Sequence, residues 1–137
     1  IPMQFPYDVK AAQAIAALTH EECTVLKDEY TTSEFLSLVG NMDLMLGIRL
    51  HALIFAGVMG VPMLGISYDP KIDRFLASIG EEPVGNLKDV TAEELMAEIR
   101  RKWNDKQTFR QKNGELLAKL RDMAAHNAEL AVNLAHK

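Results

Sequence analysis

Short apolar runs that alternate with helix-like segments over residues 44–87 constrain the fold of this chain most strongly. Three runs have the length and apolar content of buried β-strands: Leu44–Gly47, Pro62–Ser67 and Val84–Leu87. The two segments between them have helical length, and a glycine follows each: Arg49–Met59 and Asp69–Ile79. Strand–helix–strand repeats at this spacing predict an α/β fold with a parallel sheet and helices on both of its faces.

The N-terminal part of the chain adds two helices and two further β-like segments to this prediction. Ile1–Phe5 is typical of a strand end, and Thr24–Lys27 is a short β-rich segment. Asp8–Leu18 has a helical pattern, and a capping box at Thr31–Glu34 begins a helix that ends at Gly40–Asn41. Because the chain starts inside a strand-like run and without methionine, we expect residues 1–137 to be a single domain truncated from a longer protein.

The last third of the chain differs because helical patterns replace the strand-like runs. A capping box at Thr91–Glu94 begins a helix with one apolar face, made of Ala92, Leu95, Met96, Ile99 and Trp103. Asn104–Asp105 interrupts the pattern, and a longer helix follows with an apolar stripe: Leu116, Leu117, Leu120, Met123, Ala124, Leu130, Ala131 and Leu134. Residues 91–137 are therefore predicted to be a helical extension of the domain. The stripe either packs on the chain's own sheet or crosses back to another domain.

Composition excludes several classes of protein. The chain is 48% hydrophobic and 25% charged, within the ordinary range of globular domains. Its longest apolar run, Leu53–Ile66, is too short and too interrupted by glycine and proline to span a membrane. A net charge of −4 argues against a sequence-independent nucleic-acid binder. One cysteine excludes an internal disulfide, and the 4 histidines have no metal-binding spacing, so we expect no metal site.

Arg49 and His51 carry the strongest chemical signal. They follow the strand-like run Leu44–Gly47 and lie in the first turn of the next helix, at the sheet edge where open α/β folds bind ligands. Free backbone N–H groups and the helix dipole favour an anion there. The Arg49 guanidinium suits phosphate or carboxylate, and the His51 imidazole can transfer protons near neutral pH. Two structural interpretations stay open, since Arg49 could pair with Asp43 or Asp69 and His51 could be a buried histidine.

Lys71 is a further candidate, because it follows the next strand along the chain. Asp69 fits the N-cap of a helix and Pro70 fits its first position. Lys71 is then a cation in a first helical turn, where the dipole disfavours it, and a bound anion would explain its place. Consecutive parallel strands bring this turn to the same edge as Arg49 and His51, which predicts a small, multiply anionic ligand. The alternative is a lysine that extends into solvent.

Two motifs at a fixed separation, Arg49–His51 and Ser67–Lys71, are more specific together than either is alone. They lie within Met42–Ala56 and Gly60–Lys71, which resemble the polysaccharide pyruvyl transferase family. The most similar branch pyruvylates N-acetylmannosamine in bacterial secondary cell-wall polymers. The resemblance covers roughly residues 1–90 and includes the C-terminal helices only loosely. It implies a Rossmann-like domain similar to the C-terminal half of a GT-B fold, with the first strands and the N-terminal half absent.

This resemblance implies a transferase that moves the enolpyruvyl group of phosphoenolpyruvate onto a sugar, forms a cyclic ketal and releases phosphate. His51 matches the family's proposed general acid/base, and Arg49, Leu50 and Lys71 match residues that hold phosphoenolpyruvate. The implied acceptor is a sugar or lipid-linked saccharide of a cell-wall or extracellular polysaccharide precursor, and no cofactor or metal is implied. The missing N-terminal half would supply a further basic residue, so this chain alone is expected to be inactive. The expected location is the cytoplasm, with peripheral association at the inner face of the membrane.

Two other functions stay open on the sequence alone. A nucleotide-sugar glycosyltransferase or epimerase of the GT-B type would share this architecture, although the chain has no clear glycine-rich diphosphate loop. A non-catalytic α/β binding module would leave Arg49, His51 and Lys71 dispersed or ion-paired. The placement of these three side chains therefore discriminates between an enzyme and a binding module.

Overall fold

The computed structural model describes residues 1 and 3–135, apart from the side chain of Arg110. Its elements in chain order are α1 (Tyr7–Leu18), α2 (Thr32–Gly40), β1 (Met45–Gly47), α3 (Leu50–Met59), β2 (Met63–Ser67), α4 (Pro70–Ser78), β3 (Gly85–Asn86), α5 (Ala92–Asn104) and α6 (Lys106–Ala135). The three strands form one parallel sheet in the order β1–β2–β3. The predicted α/β fold with a parallel sheet is confirmed.

The central strand β2 holds the sheet together. It pairs with β1 through Met45 opposite Met63 and with β3 through Ile66 opposite Gly85. All five β2 residues are buried, as expected for a strand covered on both faces. Helix α3 connects β1 to β2 and helix α4 connects β2 to β3, which is the strand–helix–strand arrangement that the sequence predicts.

Helices α3 and α4 pack on the same face of the sheet, and Gly65 shows why they can. A Cβ atom added at Gly65 would lie 2.7 Å from Leu76 Cδ1 of α4 and 3.1 Å from Leu53 Cδ1 of α3. Leu53, Ile72 and Leu76 are fully buried there. Because both helices lie against one face and each follows an adjacent strand, their N-termini are neighbours at one edge of the sheet.

Two of the predicted β-segments are not strands. The expectation for Ile1–Phe5 is wrong, since the chain bends and turns from Met3 onward and the Asp8 carboxylate accepts the backbone N–H groups of Met3 and Gln4. Thr24–Lys27 also forms no ladder with any described strand. A strand needs a partner for its backbone groups, and neither segment finds one in the part of the chain that the structure describes.

Helix α1 forms as predicted but packs loosely. None of its residues is buried, and Ile15 and Leu18 are 66% and 83% exposed. A cavity of about 730 Å³ separates α1 from Leu46 and Ile66, whose side chains point to the sheet face opposite Gly65. The inner side of α1 therefore borders an apolar groove rather than a filled core.

The predicted apolar face of α5 is only partly correct. Leu95 and Ile99 are partly buried, but Met96 and Trp103 are about half exposed. The one buried residue of α5 is Lys102, because its ammonium pairs with Glu81 and lies 5.8 Å from the centre of the Phe109 ring. The ion pair of Lys102 and Glu81 is therefore buried, whereas the apolar pattern predicted burial of other residues of α5.

The apolar stripe of α6 packs on this domain only along its first half. Phe109 and Asn113 are buried, and Leu117 and Leu120 are partly buried. Every described residue from 121 to 135 is exposed, including the stripe residues Met123, Ala124, Leu130, Ala131 and Leu134. This half lies against α3 at Gly57 and against the turn at Gly80 that follows α4, through Leu117 and Leu116. No described helix combines the length and the hydropathy needed to cross a membrane.

Candidate functional site

The start of α3 is an uncapped helix end. Arg49 is its N-cap residue, in an extended conformation, and its side chain makes no capping hydrogen bond. Ala52 and Leu53 donate their backbone N–H groups to the Arg49 carbonyl, but no acceptor among residues 3–135 lies against the N–H groups of Leu50 and His51. These free donors and the positive end of the helix dipole favour an anion at this point.

The start of α4 lies beside the start of α3, and it is capped by the side chain of its own N-cap residue. Asp69 is the N-cap, its carboxylate accepts the backbone N–H of Lys71 at 2.9 Å, and Pro70 occupies the first helical turn. Both structural predictions for these residues are confirmed. The Lys71 ammonium is 3.4 Å from Asp69 and about half exposed, so it remains able to reach a ligand.

Arg49, Leu50, His51 and Lys71 all line one open cavity of about 620 Å³. The strand order brings the two motifs together, as the sequence predicts. The other residues lining the cavity come from the N-terminal turn, the segment before α2, α2 itself, α3 and the segment after β2: Met3, Gln4, Tyr30, Thr32, Phe35, Phe55 and Tyr68. The cavity thus combines three basic side chains with an aromatic wall, which consists of Tyr30, Phe35, Phe55 and Tyr68.

Arg49 forms an ion pair that the sequence did not indicate. Its Nη2 atom donates to Asp8 Oδ1 at 2.7 Å and lies 3.3 Å from Gln4 Oε1. The proposed pairings with Asp43 and Asp69 are wrong, since Asp43 pairs with Lys106 and Asp69 caps α4.

The Asp8 carboxylate and the Arg49 guanidinium stabilise each other's charged form. Burial raises the pKa of the Asp8 carboxyl, but the hydrogen bonds from Arg49 and from the N–H groups of Met3 and Gln4 outweigh it and bring the pKa below its usual range. The hydrogen bond to Asp8 likewise raises the pKa of Arg49. Arg49 therefore carries its charge at the cavity at all relevant pH values.

His51 is exposed, and its side chain makes no hydrogen bond or ion pair with any residue that the structure describes. The alternative of a buried histidine is therefore wrong. An imidazole with both nitrogens free can donate to or accept from a ligand in the cavity.

The sequence did not indicate Asp8 or three of the aromatic residues that line the cavity, Tyr30, Phe35 and Phe55. Asp8 begins the predicted helix, but it does not cap it, because the N-cap is Pro6 and the Asp8 carboxylate bonds outside the helix. Phe35 contacts Tyr30 edge-on, with ring centres 5.7 Å apart, and Phe55 at 6.2 Å. Spacing could have found Phe55, because it follows His51 by four residues and so shares its helix face.

No group of three His, Cys, Asp or Glu side chains among the described residues is placed to hold a metal ion. The family model for polysaccharide pyruvyl transferase matches residues 2–70 of the chain. This match includes Asp8, the motif Arg49–His51 and Asp69, and it ends one residue before Lys71. No curated protein and no solved structure matches the chain significantly.

Proposed function

Since the chain belongs to the polysaccharide pyruvyl transferase family, we propose that it serves the transfer of a pyruvyl group from phosphoenolpyruvate to a sugar. The observation that carries this proposal is the convergence of Arg49, His51 and Lys71 on one open cavity beside an uncapped helix start. The same convergence argues against the dispersed arrangement that a non-catalytic module predicts, whereas the ion pairs of Arg49 with Asp8 and of Lys71 with Asp69 are what that alternative also allows.

Phosphoenolpyruvate presents a phosphate and a carboxylate, and the cavity offers donors for both. Arg49 can donate to either group from the nitrogens that its contacts with Asp8 and Gln4 leave free, and Lys71 supplies a second positive charge. The free N–H groups of Leu50 and His51 add two neutral donors at the positive end of α3. This set of donors matches a small ligand with several negative charges.

His51 supports the proton transfers that the reaction requires. Its imidazolium donates a proton to the methylene carbon of the enol, and the neighbouring carbon becomes an oxocarbenium-like centre. A sugar hydroxyl adds to that carbon and gives its proton to the neutral imidazole. A second hydroxyl of the sugar then attacks the same carbon, the C–O bond to phosphate breaks, and the departing phosphate takes up the proton of that hydroxyl. One diol and one phosphoenolpyruvate thus yield one ketal and one phosphate. An imidazole can both donate and accept a proton, which suits both directions of transfer.

The acceptor that we propose is a sugar or lipid-linked saccharide of a cell-wall or extracellular polysaccharide precursor. The aromatic wall formed by Tyr30, Phe35, Phe55 and Tyr68 supports this, since the apolar faces of sugar rings pack against aromatic side chains. We further propose that a second half, similar to the N-terminal half of a GT-B fold, completes the acceptor site. On this proposal the reaction takes place in the cytoplasm, at the inner face of the membrane.

An NMR titration of the chain with phosphoenolpyruvate tests the donor assignment. We expect saturable shifts at the backbone amides of Leu50 and His51 and at Lys71, and no saturable shift there with a nucleotide-sugar. In the same titration Lys71→Ala should weaken these shifts. Lys119→Ala is its matched control, because Lys119 is an exposed lysine of α6 that does not line the cavity. Preference for the nucleotide-sugar would favour a glycosyltransferase, and the absence of any shift with phosphoenolpyruvate would contradict the donor assignment.

A further inference from the structure

We propose that Asp8 is a positioning residue for the donor site, because its carboxylate holds the Arg49 guanidinium in the orientation that serves an anion in the cavity. This role rests on the proposed function, and it goes beyond it by including a residue of α1 that does not itself line that cavity. Asp8 and Arg49 lie 41 positions apart in the sequence, so the pair joins two separate parts of the domain.

The Asp8 carboxylate contacts two elements of the site at once. Its Oδ1 atom accepts from Arg49 Nη2 at 2.7 Å. Its Oδ2 atom accepts the backbone N–H groups of Met3 and Gln4, each at 3.0 Å. Gln4 in turn places its side-chain oxygen 3.3 Å from the same Arg49 nitrogen. One carboxylate therefore fixes both the arginine and the N-terminal turn that forms part of the cavity wall.

Asp8 contacts the Arg49 guanidinium from outside the 620 Å³ cavity. Arg49 borders both the 620 Å³ cavity and the apolar groove of about 730 Å³, whereas Asp8 borders only the groove. The hydrogen bonds to Asp8 and Gln4 both use Nη2, and a guanidinium carries donors on all three of its nitrogens. Tyr68 is a further hydrogen-bond partner of the guanidinium, and the donors that Asp8, Gln4 and Tyr68 do not use are left for a ligand.

This arrangement favours donor binding because it removes motion before the ligand arrives. A long arginine side chain at the surface samples many rotamers, and a ligand must otherwise restrict them when it binds. The Arg49 side chain is 39% exposed, but the ion pair and the hydrogen bond to Gln4 already restrict it. The Asp8 pKa lies below its usual range, so the restraint persists at neutral pH.

The test compares three variants by steady-state kinetics with phosphoenolpyruvate. The variants are made in the active protein, which contains this chain together with the proposed second half. Asp8→Asn keeps the size of the side chain and an acceptor oxygen for the turn but removes the charge. Asp43→Asn is the matched control, since Asp43 also forms an ion pair, with Lys106 at 2.6 Å, and lines neither cavity. Arg49→Ala measures how much KM changes when the guanidinium is removed.

We expect Asp8→Asn to raise the KM for phosphoenolpyruvate about tenfold, as for one weakened charge-assisted hydrogen bond, with a much smaller change in kcat. Asp43→Asn should leave both constants unchanged, and Arg49→Ala should raise KM at least as much as Asp8→Asn. The Arg49 Nε–H signal in NMR spectra of the free protein should move toward that of a solvent-exposed arginine in Asp8→Asn. A purely structural role of Asp8 would not produce this split between KM and kcat.

The outcomes separate the two proposals. If Asp8→Asn leaves KM unchanged or lowers it while Arg49→Ala raises it, the positioning role is wrong and the proposed function stands. If neither variant changes KM, the proposed donor site is wrong, and the positioning role with it. Asp8→Glu covers the case in which Asp8→Asn does not fold, because it keeps the charge but moves it by one methylene. We expect it to raise KM severalfold, and a wild-type KM would overturn the positioning role.

Discussion

The starts of α3 and α4 lie side by side at one edge of the sheet, but only the start of α4 is capped by a side chain. At α4, the Asp69 carboxylate caps the helix and accepts the N–H of Lys71. At α3, the corresponding position is Arg49, a donor that cannot cap, and the N–H groups of Leu50 and His51 find no acceptor in residues 3–135. One helix start is complete in the free protein, and the other is open to an anion.

This difference shows how neighbouring, similar turns can take structural and functional roles. A cap stabilises a helix, whereas an arginine at the N-cap position gives up that stabilisation and presents positive charge instead. The two helix starts therefore predict opposite consequences of mutation. Changes at α3 should affect the reaction and not the fold, and a change of the α4 cap should affect the fold and not the reaction.

The largest effect is expected from His51→Ala in the active protein. Loss of a general acid/base should lower kcat about 10²–10⁴-fold, measured by phosphate release from phosphoenolpyruvate in the presence of acceptor. The melting temperature should not change, because His51 is exposed and makes no hydrogen bond with described residues. His126→Ala is the matched control, since His126 lies on the exposed half of α6. Retention of most activity in His51→Ala would exclude the acid/base role.

A smaller effect is expected from Lys71→Ala, because it removes one of several anion contacts. The KM for phosphoenolpyruvate should rise about tenfold, while kcat changes less. Lys71 is about half exposed and its distance to Asp69 is 3.4 Å, so stability should be unaffected. Lys119→Ala serves as the exposed control lysine in the same assay. An unchanged KM would remove Lys71 from the donor site.

Asp69→Ala should show the reverse pattern. Loss of the N-cap should lower the melting temperature by a few degrees, measured by thermal unfolding. Asp69→Asn keeps a capping oxygen and should melt close to the wild-type protein. The KM for phosphoenolpyruvate should not rise in either variant, since no ligand contact is lost. A strong loss of donor binding in Asp69→Ala together with a wild-type melting temperature would reverse the assignment of the two helix starts.

The parts of this fold that local sequence could predict are those that local chemistry decides. The three strands, α3 and α4 agree with the predicted bounds within about one residue, because buried apolar runs and stopping glycines are readable in a short window. The capping boxes that begin α2 and α5 form both of their predicted hydrogen bonds. Strand-like segments near the N-terminus failed because a strand also requires a partner, which no local pattern reports.

The candidate site divides in the same way. Arg49, His51 and Lys71 could be found because each follows a strand, and parallel strands end at a common edge. Asp8 could not be found, since its partner lies 41 residues away and no spacing rule connects them. Lys102 was missed for a similar reason, because its burial depends on Glu81 in another part of the chain. The assignment of residues 1–137 to one domain stays a prediction.

The smallest expected effect is a difference in how the two helix starts respond to acid. The hydrogen bond from the Lys71 N–H, together with nearby cations, holds the pKa of Asp69 below its usual range despite some burial. A carboxyl with a lowered folded-state pKa stabilises the fold above its unfolded pKa, and this contribution is lost as the pH falls through the folded value. The first turn of α4 should therefore loosen at a pH below the usual range of aspartate.

The Lys71 amide should report this transition, as a chemical-shift change and faster exchange with solvent on acidification. The Leu50 amide should show no transition that depends on Asp69, because no carboxylate caps α3. Asp69→Asn should abolish the Lys71 transition and leave the Leu50 amide as it is in the wild-type protein. If Leu50 instead followed the same titration, and lost it in Asp69→Asn, then the start of α3 would be coupled to the cap of α4. The open helix end could then no longer be treated as a site separate from its neighbour.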